Sequence, residues 1–505
     1  MKAFLYRFSP VFVRQIFERI EASPLGYRLA KGAFWSLGGA VISRGLGLLS
    51  AILVGRFLGK EEYGELGIIQ NTVGMFGTLA GFGMGLTANK YVAEYKSTDP
   101  ARAGRIIALA SATAWISSGI MAVGLVAFGP WLAAKTLAAP HLAGLLQFGA
   151  LLLLLSGVNG AQTGALSGFE AFKSIARINL VSGLLTFPLM VIGALQWGVT
   201  GAVAGLVGSQ FVNCLMSYFA LRAEAARFNI PHRYAGCFAD LGVFWRFSLP
   251  AVLIGLLNSV VAWGAGALVV NQLGGYGEMG IYNAVLRVKQ IPDAVLAMLV
   301  APVIPMLSEA FGKSDQSSYQ KTLRMFLLLS TLAIVPVSLL QTAAPDLTLL
   351  PFGREYSGHP FVVGWLMLHA VLTSLGTCVG YILVTAGRLW LVWLLSLVFA
   401  ACYAVLAMVL VPRHGVVGYA ASLAIAYGAS TAVSMVVLYR AYPETMRHLR
   451  WGRIALLSVS LFAACSLASI CFSFPGALAA GVLAAAVFVI LGSRIFRPNL
   501  APSNA

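Results

Sequence analysis

Three basic side chains fall inside stretches that are otherwise apolar: Arg44, Arg287 and Lys289. A charge near the centre of a bilayer costs roughly 2.5 kcal/mol or more, so such a side chain should face protein or a water-filled cavity. A guanidinium pairs with phosphate through two parallel hydrogen bonds. Two arginines in a cavity of low dielectric therefore predict a site for a phosphate-bearing anion, with Lys289 as a third cation. The other interpretation is an internal ion pair or hydrogen bonds to backbone carbonyls.

The stretch around Arg287 carries further polar residues at helical spacing. Asn283, Arg287 and Gln290 lie at positions i, i+4 and i+7, and so form one stripe on a helix. Lys289 and Asp293 are four residues apart, which is the spacing of an ion pair along a helix. We expect the stripe to line a cavity, and we take Asp293 as a candidate proton or cation site.

A second polar surface is predicted on an earlier helix. Gln70 and Asn71 share one arc of that helix with Gly67 and other small residues, which suits either close helix packing or the wall of the same cavity. Glu65 and Glu278 stand near the beginnings of this helix and of the helix that holds Arg287. Their carboxylates could contact sugar hydroxyls, or could cap the two helix starts.

The composition identifies the solvent around these residues. Of the 505 residues, 59% are hydrophobic and only 10% are charged, and the mean hydropathy is +0.85. A soluble domain usually has about 25% charged residues, so a membrane-embedded helical protein is indicated. The net charge of +17 could suggest nucleic acid, but the basic residues lie in short loops between apolar stretches, so no nucleic-acid partner is expected. The six cysteines show no metal-ligand spacing, and we predict no metal and no cofactor.

The apolar stretches predict an all-α integral membrane protein with about fourteen transmembrane helices. Lys and Arg number 26 in the segments on the N-terminal side of the membrane and five in the opposite loops. This asymmetry predicts that both termini lie in the cytoplasm and that the protein is multi-pass in the cytoplasmic (inner) membrane. Apolar residues at helical spacing in the first segment predict an amphipathic helix on the cytoplasmic surface.

The chain also repeats itself. The sequence of Tyr63–Ile68 recurs at Tyr276–Ile281 with an offset of 213, and that of Gly198–Gly201 recurs at Gly415–Gly418 with an offset of 217. Two echoes at nearly one offset predict two parallel six-helix repeats around a central cavity, plus two C-terminal helices. Chance similarity of Gly-rich apolar sequence is the alternative.

This pattern predicts seven regions. They are a cytoplasmic amphipathic segment (1–32), an N-terminal six-helix bundle (33–222), a cytoplasmic linker (223–245), a C-terminal six-helix bundle (246–440), a cytoplasmic loop (441–453), two additional helices (454–494) and a cytoplasmic tail (495–505).

At these residues the chain resembles a known family. The motifs are Ser43-Arg44-x-Leu46-Gly47 followed by Arg56-x-x-Gly59, and Arg287 followed by Pro292 and by Pro305-Met306-Leu307-Ser308. They resemble the first and eighth helices of the polysaccharide and lipid-linked oligosaccharide flippases of the multidrug/oligosaccharidyl-lipid/polysaccharide exporter superfamily. The fourteen-helix plan covers nearly the whole chain.

The resemblance implies two six-helix bundles that alternate access and a polyprenyl-pyrophosphate-linked oligosaccharide as substrate. Pyrophosphate would be held by cationic cavity residues, while the lipid tail stays among membrane lipids. The peptidoglycan-precursor branch has further arginines where this chain has Ser50 and Thr78. That departure favours an O-antigen, teichuronic, capsule or other exopolysaccharide repeat unit. A polysaccharide polymerase or export machinery would be a partner.

Two other functions remain open at this stage. A multidrug/cation antiporter of the same superfamily would need carboxylates in its cavity, and this chain has more Arg and Lys there. A membrane glycan polymerase or ligase would need catalytic groups in a sizeable loop, and residues 344–361 offer Asp346, Arg354, Glu355 and His359. No nucleotide-binding loop of the Gly-x4-Gly-Lys-Ser/Thr type occurs, which excludes an ATP-driven pump in this chain.

Overall fold

The computed structural model describes residues 24–81, 83–231, 249–312 and 315–495. Within these ranges the regular structure is helical and contains no strand. The helices are α1 (Pro24–Ala80), α2 (Met84–Tyr95), α3 (Pro100–Trp131), α4 (Ala143–Gly168), α5 (Phe172–Arg227), α6 (Leu249–Val270), α7 (Gly275–Gly312), α8 (Gln316–Ala343), α9 (Pro345–Leu349), α10 (Pro360–Thr385), α11 (Leu389–Ala441), α12 (Pro443–Leu449), α13 (Trp451–Cys471) and α14 (Phe474–Ile495). Single helical turns occur at Leu132–Thr136, Pro140–Leu142 and Arg354–Tyr356.

Three of the long helices are each interrupted near the middle. The non-helical residues are Gly59 in α1, Trp197 and Gly198 in α5, and Gly415 in α11. The three glycines have φ values of 75°, 57° and 53°, a region that glycine enters without steric cost. Each of these helices therefore has a first arm and a second arm. The breaks at Gly198 and Gly415 fall at the first residues of the two repeated segments, Gly198–Gly201 and Gly415–Gly418.

Nine helical segments of the described chain are long and apolar enough to cross a membrane, and Gly255–Val270 of α6 is a shorter apolar segment. The interrupted helices are among the nine, and α5 alone has 56 residues. At 1.5 Å per residue that is about 84 Å of helix, far more than one crossing needs. The protein is therefore an all-helical, multi-pass membrane protein.

Glycines allow the two arms of an interrupted helix to pack closely. In α5, a Cβ atom at Gly201 would lie 1.9 Å from the carbonyl oxygen of Gly193. In α11, a Cβ at Gly418 would lie 2.2 Å from the carbonyl oxygen of Leu410. Backbone therefore contacts backbone on both sides of the break. This is the contact that small residues provide between membrane helices.

The two last helices pack on the C-terminal part of the molecule. A Cβ at Gly481 of α14 would lie 2.4 Å from the Cβ of Ala343 in α8. The thiol of Cys465 in α13 donates to the carbonyl oxygen of Leu339, also in α8, at 3.2 Å.

The predicted regional boundaries differ from the helices at several points. Helix α5 continues to Arg227, so the start of the predicted linker at 223 lies inside a helix. The rest of that linker beyond 231 lies outside the described residues. The predicted amphipathic segment, 1–32, lies outside them up to residue 23, and α1 already begins at Pro24. The predicted tail falls outside them from residue 496.

Candidate functional site

The second arm of α1 and the start of α7 meet through a pair of matching glycine contacts. A Cβ at Gly64 would lie 1.9 Å from the carbonyl oxygen of Tyr276, and a Cβ at Gly280 would lie 1.9 Å from that of Lys60. Positions 64 and 280, and positions 60 and 276, are each 216 apart. Each contact is therefore the image of the other under one offset, as in a two-fold relationship between repeats. We call this part of the contact the Gly59 end.

One helical turn further along, the same offset relates two residues that contact each other. Gly67 and Asn283 are also 216 apart, and the side chain of Asn283 lies so close that a Cβ at Gly67 would overlap its amide nitrogen. That nitrogen is buried and has no hydrogen-bond partner among the described residues. The α1–α7 contact therefore has an unsatisfied donor at its centre, among the described residues.

The next turn holds the arginine that the sequence singles out. The guanidinium of Arg287 donates to the side-chain oxygen of Gln70 at 2.5 Å, and joins α7 to α1. The hydroxyl of Tyr63 interacts with the same guanidinium, and Tyr63 itself is buried. Arg287 remains half-buried. The neighbours of this guanidinium are thus a neutral amide and a phenol.

The predicted stripe on α7 becomes more open along its length. The Asn283 amide nitrogen is inaccessible, Arg287 is half-buried, and Gln290 is exposed. On α1, Asn71 is half-buried, and its amide nitrogen would lie 3.3 Å from a Cβ at Gly266 of α6. Arg287, Gln70 and Asn283 thus belong to one contact between the two halves, and Asn71 lies beside it at α6.

Helix α6 extends this contact beyond the arginine. The hydroxyls of Thr78 in α1 and Ser259 in α6 are 2.9 Å apart. The indole N–H of Trp263 donates to the hydroxyl of Thr72 at 2.9 Å. Neutral hydrogen bonds therefore occupy the interface on the far side of Arg287 from the Gly59 end.

Lys289 and Asp293 form the predicted ion pair, which is confirmed. The Lys289 ammonium and an Asp293 carboxylate oxygen are 2.6 Å apart, with 5% and 39% of the two side chains exposed. Lys289 is thus buried and neutralised within α7. His369 of α10 is close to the ammonium and Tyr427 of α11 to the carboxylate, so the pair faces the interior of the C-terminal bundle.

Arg44 lies apart from this group. Its neighbour Ser43 packs against Gly183 of α5, whose Cβ would lie 3.0 Å from Ser43. The Arg44 side chain is exposed, and within the described ranges it has neither an ion-pair partner nor a contact with Arg287. The structure therefore does not bring the two predicted arginines together.

The two glutamates of the repeated motif have different partners. Glu65 lies 2.7 Å from a ring nitrogen of His141. Glu278 accepts a hydrogen bond of 2.7 Å from the backbone N–H of Val416, at the start of the second arm of α11. Its counterpart at the offset of 216 is Glu62, whose carboxylate would lie 3.3 Å from a Cβ at Gly198, the matching break in α5. Glu62 and Glu278, and not Glu65, are therefore the equivalent pair.

A loop of the C-terminal half covers the Gly59 end. The hydroxyl of Tyr356 donates to the carbonyl oxygen of Gly55 at 2.8 Å, and burial raises the pKa of this phenol. The ring of Phe352 packs against Tyr63 with centroids 6.1 Å apart. Burial and the nearby Lys60 lower the pKa of His359 in the same loop.

Sequence reasoning missed both Tyr63 and this loop contact. In the sequence, Tyr63 stands out only as the first residue of the repeated segment Tyr63–Ile68. The loop residues that dock on α1 carry no repeat or motif, and only the folded chain brings them to the Gly59 end.

Comparison with known proteins identifies the family. A family model described as "Polysaccharide biosynthesis protein" matches residues 29–311. The Lipid III flippase of Escherichia coli K12 is 24% identical over 400 residues, covering 78% of this chain and 94% of the relative. The succinoglycan biosynthesis transport protein ExoT of Rhizobium meliloti is 26% identical over 372 residues, covering 70% and 69%.

Solved structures share the fold at lower identity. The lipid II flippase MurJ, in an inward closed conformation, aligns with a TM-score of 0.62 at 14% identity, over 91% of this chain and 99% of that one. An inward-facing multidrug resistance MATE family transporter aligns with a TM-score of 0.60 at 17% identity, over 85% and 99%. With the fold shared and more than half of the sequence matched by one family model, this chain belongs to the polysaccharide biosynthesis protein family.

Proposed function

We propose that the protein is a flippase that carries a polyprenyl-pyrophosphate-linked oligosaccharide from the cytoplasmic to the outer leaflet by alternating access. The relatives support this proposal, because one is named a lipid III flippase and another a succinoglycan biosynthesis transport protein. Relatives with these names favour a transporter, and not an enzyme. The sugar and the phosphates are the part of such a lipid that cannot cross hydrocarbon unaided.

Arg287 is the observation on which the proposal rests. Its guanidinium lies in the contact between the two halves and is held there by the neutral side chain of Gln70 and by Tyr63. A neutral amide leaves the positive charge uncompensated, and a charge-assisted bond to phosphate is roughly twice as strong as a neutral hydrogen bond. Pyrophosphate would therefore displace Gln70 and loosen the contact between α1 and α7. Asn283 and Asn71 lie at or beside this contact and complete the proposed site. The other predicted binding residues have positions of their own in the resting structure: Lys289 is paired with Asp293, Glu65 lies against His141, Glu278 bonds to Val416, and Arg44 is exposed.

The breaks in the long helices support a count of fourteen crossings. If each interrupted helix crosses twice, the nine apolar segments supply twelve crossings, and α6 and α7 add two. We further propose that both termini are cytoplasmic, that the membrane is the inner membrane, and that the halves 33–222 and 246–440 are parallel repeats. The matching contacts at an offset of 216 favour that repeat. In this orientation the Gly59 end faces outward, so the contact there closes the outer side.

Replacing Arg287 by Gln tests the proposal. The assay is complementation of glycan export in cells that lack their own flippase, with the amount of inserted protein measured in parallel. We expect Arg287→Gln to lose at least about tenfold in export, because one charged contact to phosphate is removed, and Arg287→Lys to recover part of it. Arg222→Gln is the matched control, since Arg222 lies over the ring of Tyr218 at the end of α5. Normal export by Arg287→Gln would contradict the proposed site.

Two positions that hold arginines in the peptidoglycan-precursor branch hold neutral residues here, and they bear on the substrate class. Ser50 is buried with 1% of its surface exposed, and Thr78 is hydrogen-bonded to Ser259, so neither position adds a charge. We therefore favour an O-antigen, capsule or other exopolysaccharide repeat unit over a peptidoglycan precursor. Membrane lipids would hold the polyprenyl tail, and a polymerase or export complex would receive the product.

A multidrug antiporter is the second candidate, because the MATE transporter shares the fold. The charged group in the interface is a guanidinium, which repels cationic drugs. Efflux of ethidium by cells that express the protein would favour the antiporter, and export of glycan without dye efflux would favour the flippase. A polymerase is disfavoured by the docked loop, in which Asp346 accepts a hydrogen bond of 2.8 Å from the backbone N–H of Gly358.

A further inference from the structure

A cavity of about 390 Å³, with a largely apolar lining and a few polar side chains, lies inside the C-terminal bundle between α6, α10 and α11. It is separate from the Arg287–Gln70 contact, and neither of those residues lines it. None of its lining residues is Lys, Arg, Asp or Glu. The size falls within the range of small-molecule sites. Lys289 and Asp293 lie close to the lining residues His369 and Tyr427 but are paired with each other, which favours a neutral ligand.

Three serine hydroxyls that line this cavity are available as acceptors. The hydroxyls of Ser396, Ser430 and Ser434 each donate to a backbone carbonyl, at 2.9, 3.3 and 2.8 Å. A hydroxyl that has used its proton in this way can still accept through its oxygen. The side-chain oxygen of Asn258 is buried and has no partner among the described residues. The matching ligand therefore carries several O–H donors.

One wall of the cavity is aromatic. The rings of Phe399 and Tyr403 have centroids 5.8 Å apart, those of Phe399 and Tyr427 6.1 Å, and those of His369 and Tyr427 5.0 Å. Rings packed in this way hold their orientation without help from a ligand. They add apolar ring surface to the lining of the cavity. A ring with C–H groups on its faces and hydroxyls around its edge fits both surfaces.

A single helix separates this cavity from the interface. Asn258 and Ala262 of α6 line the cavity, and the adjacent Ser259 and Trp263 bond to α1. A helix with its side chains is about 10 Å across. His369, Tyr427 and Ser430 keep accessible surface, so a ligand can reach them.

We propose that this cavity is a carbohydrate subsite that holds one sugar ring of the glycan while the phosphate is at Arg287. The proposal rests on the proposed function and adds a specificity site to it. The serines of α11 would accept from sugar hydroxyls and the aromatic residues would pack on the ring face. Asn258, whose oxygen is buried in the ligand-free protein, would turn into the cavity to accept from a further hydroxyl. A dehydrated cation is disfavoured, because the cavity is far larger than one ion and the nearby carboxylate of Asp293 is already paired with Lys289.

The test uses the full-length protein purified into lipid nanodiscs. The probe is the water-soluble glycan that mild acid releases from the lipid-linked fraction of the cells that make the protein. Binding is measured by saturation-transfer NMR and by equilibrium dialysis. We expect Asn258→Leu and Ser430→Val to weaken binding by about tenfold, because each removes an acceptor that a buried sugar hydroxyl needs. Arg287→Gln should bind this phosphate-free glycan as the wild type does, although it does not export.

A stability measurement separates a binding role from a structural one. Asn258→Leu removes a buried oxygen that has no partner, so the ligand-free variant should unfold at the same temperature as the wild type or higher. A lower unfolding temperature would mean that Asn258 holds the fold. Unchanged glycan binding in Asn258→Leu, or no glycan binding by the wild type, would overturn the subsite. The subsite would also be overturned if sodium chloride, relative to choline chloride, stabilised the wild type but not Asn258→Leu, because the cavity would then be a sodium site. The export assay of Arg287→Gln tests the proposed function, and the glycan-binding assay tests the cavity. Each proposal can therefore fail while the other holds.

Discussion

The carboxylate of Glu278 in α7 caps the second arm of α11 through a hydrogen bond of 2.7 Å to the backbone N–H of Val416. This bond lies next to the helix break at Gly415, where a φ of 53° changes the direction of the chain. A carboxylate is favourable at a helix start, because it satisfies a free N–H and faces the positive end of the helix dipole. One side chain therefore connects the start of α7 to the hairpin of α11.

We expect Glu278→Gln to lower the free energy of unfolding by about 1 kcal/mol, because the charge at this helix start is lost. Glu62→Gln should have a smaller effect in the same direction, since the Glu62 carboxylate is near Gly198 but no cap bond to α5 is formed. Thermal unfolding of the purified protein in detergent measures both. A larger effect of Glu62→Gln would contradict the assigned roles.

We expect Gly67→Ala to prevent close approach of α1 and α7, because a Cβ there overlaps the amide of Asn283. Export should fall while insertion is retained, as complementation and membrane immunoblotting would show. Gly74→Ala is the matched control on the same arm, since a Cβ at Gly74 has nothing within 4 Å. The double variant Gly67→Ala/Asn283→Ala should recover the unfolding temperature that Gly67→Ala lowers, because the overlap with the amide is removed. Failure of this rescue would mean that the overlap is not the cause.

The Lys289–Asp293 pair should respond unequally to single substitutions. Asp293→Leu leaves a buried ammonium with 5% exposure and should cost about 3 kcal/mol or more of stability. Lys289→Met leaves a carboxylate with 39% exposure, which water can reach, and should cost less. The double variant should be more stable than Asp293→Leu, because no charge is then buried without a partner. Equal losses from the two single substitutions would contradict the burial difference.

The loop at the Gly59 end should weaken as the pH falls. Burial, together with Lys60, lowers the pKa of His359 below its usual value of 6.5, so the folded state prefers the neutral ring. The stabilisation is fully present above pH 6.5 and is lost as the pH falls from there through the folded pKa. Thermal unfolding between pH 7.5 and 5 measures it, and His359→Gln should flatten the dependence. An unchanged slope in His359→Gln would assign the effect to another group.

Much of the fold could be predicted from the sequence. Apolar runs predicted the membrane helices, and the echoed glycines Gly198 and Gly415 prove to be the points at which two of those helices break. The spacing of Lys289 and Asp293 predicted their ion pair, because residues four apart on a helix are always neighbours. The family resemblance at Arg44 and Arg287 agrees with the family model that matches residues 29–311.

The candidate site could be predicted only in part. The sequence places Arg287 on a polar stripe, but it does not say that Gln70 and Tyr63 face it from the other half. The motif echo at 213 pairs Glu65 with Glu278, whereas the contacts follow an offset of 216. A shift of three residues is nearly one helical turn, so both offsets preserve the face of the helix. Periodicity alone cannot choose between them.

The amino-acid sequence by itself determined the solvent, the helices, the breaks and the positions of the charges, since these depend on composition and on residues close together in the chain. The tertiary structure decided which charges are neutralised. It buried Lys289 against Asp293, left Arg44 exposed and placed Arg287 between the halves. It also assembled the cavity around Asn258. Those outcomes depend on how each helix is rotated and which neighbour it meets, and packing across distant parts of the chain sets both.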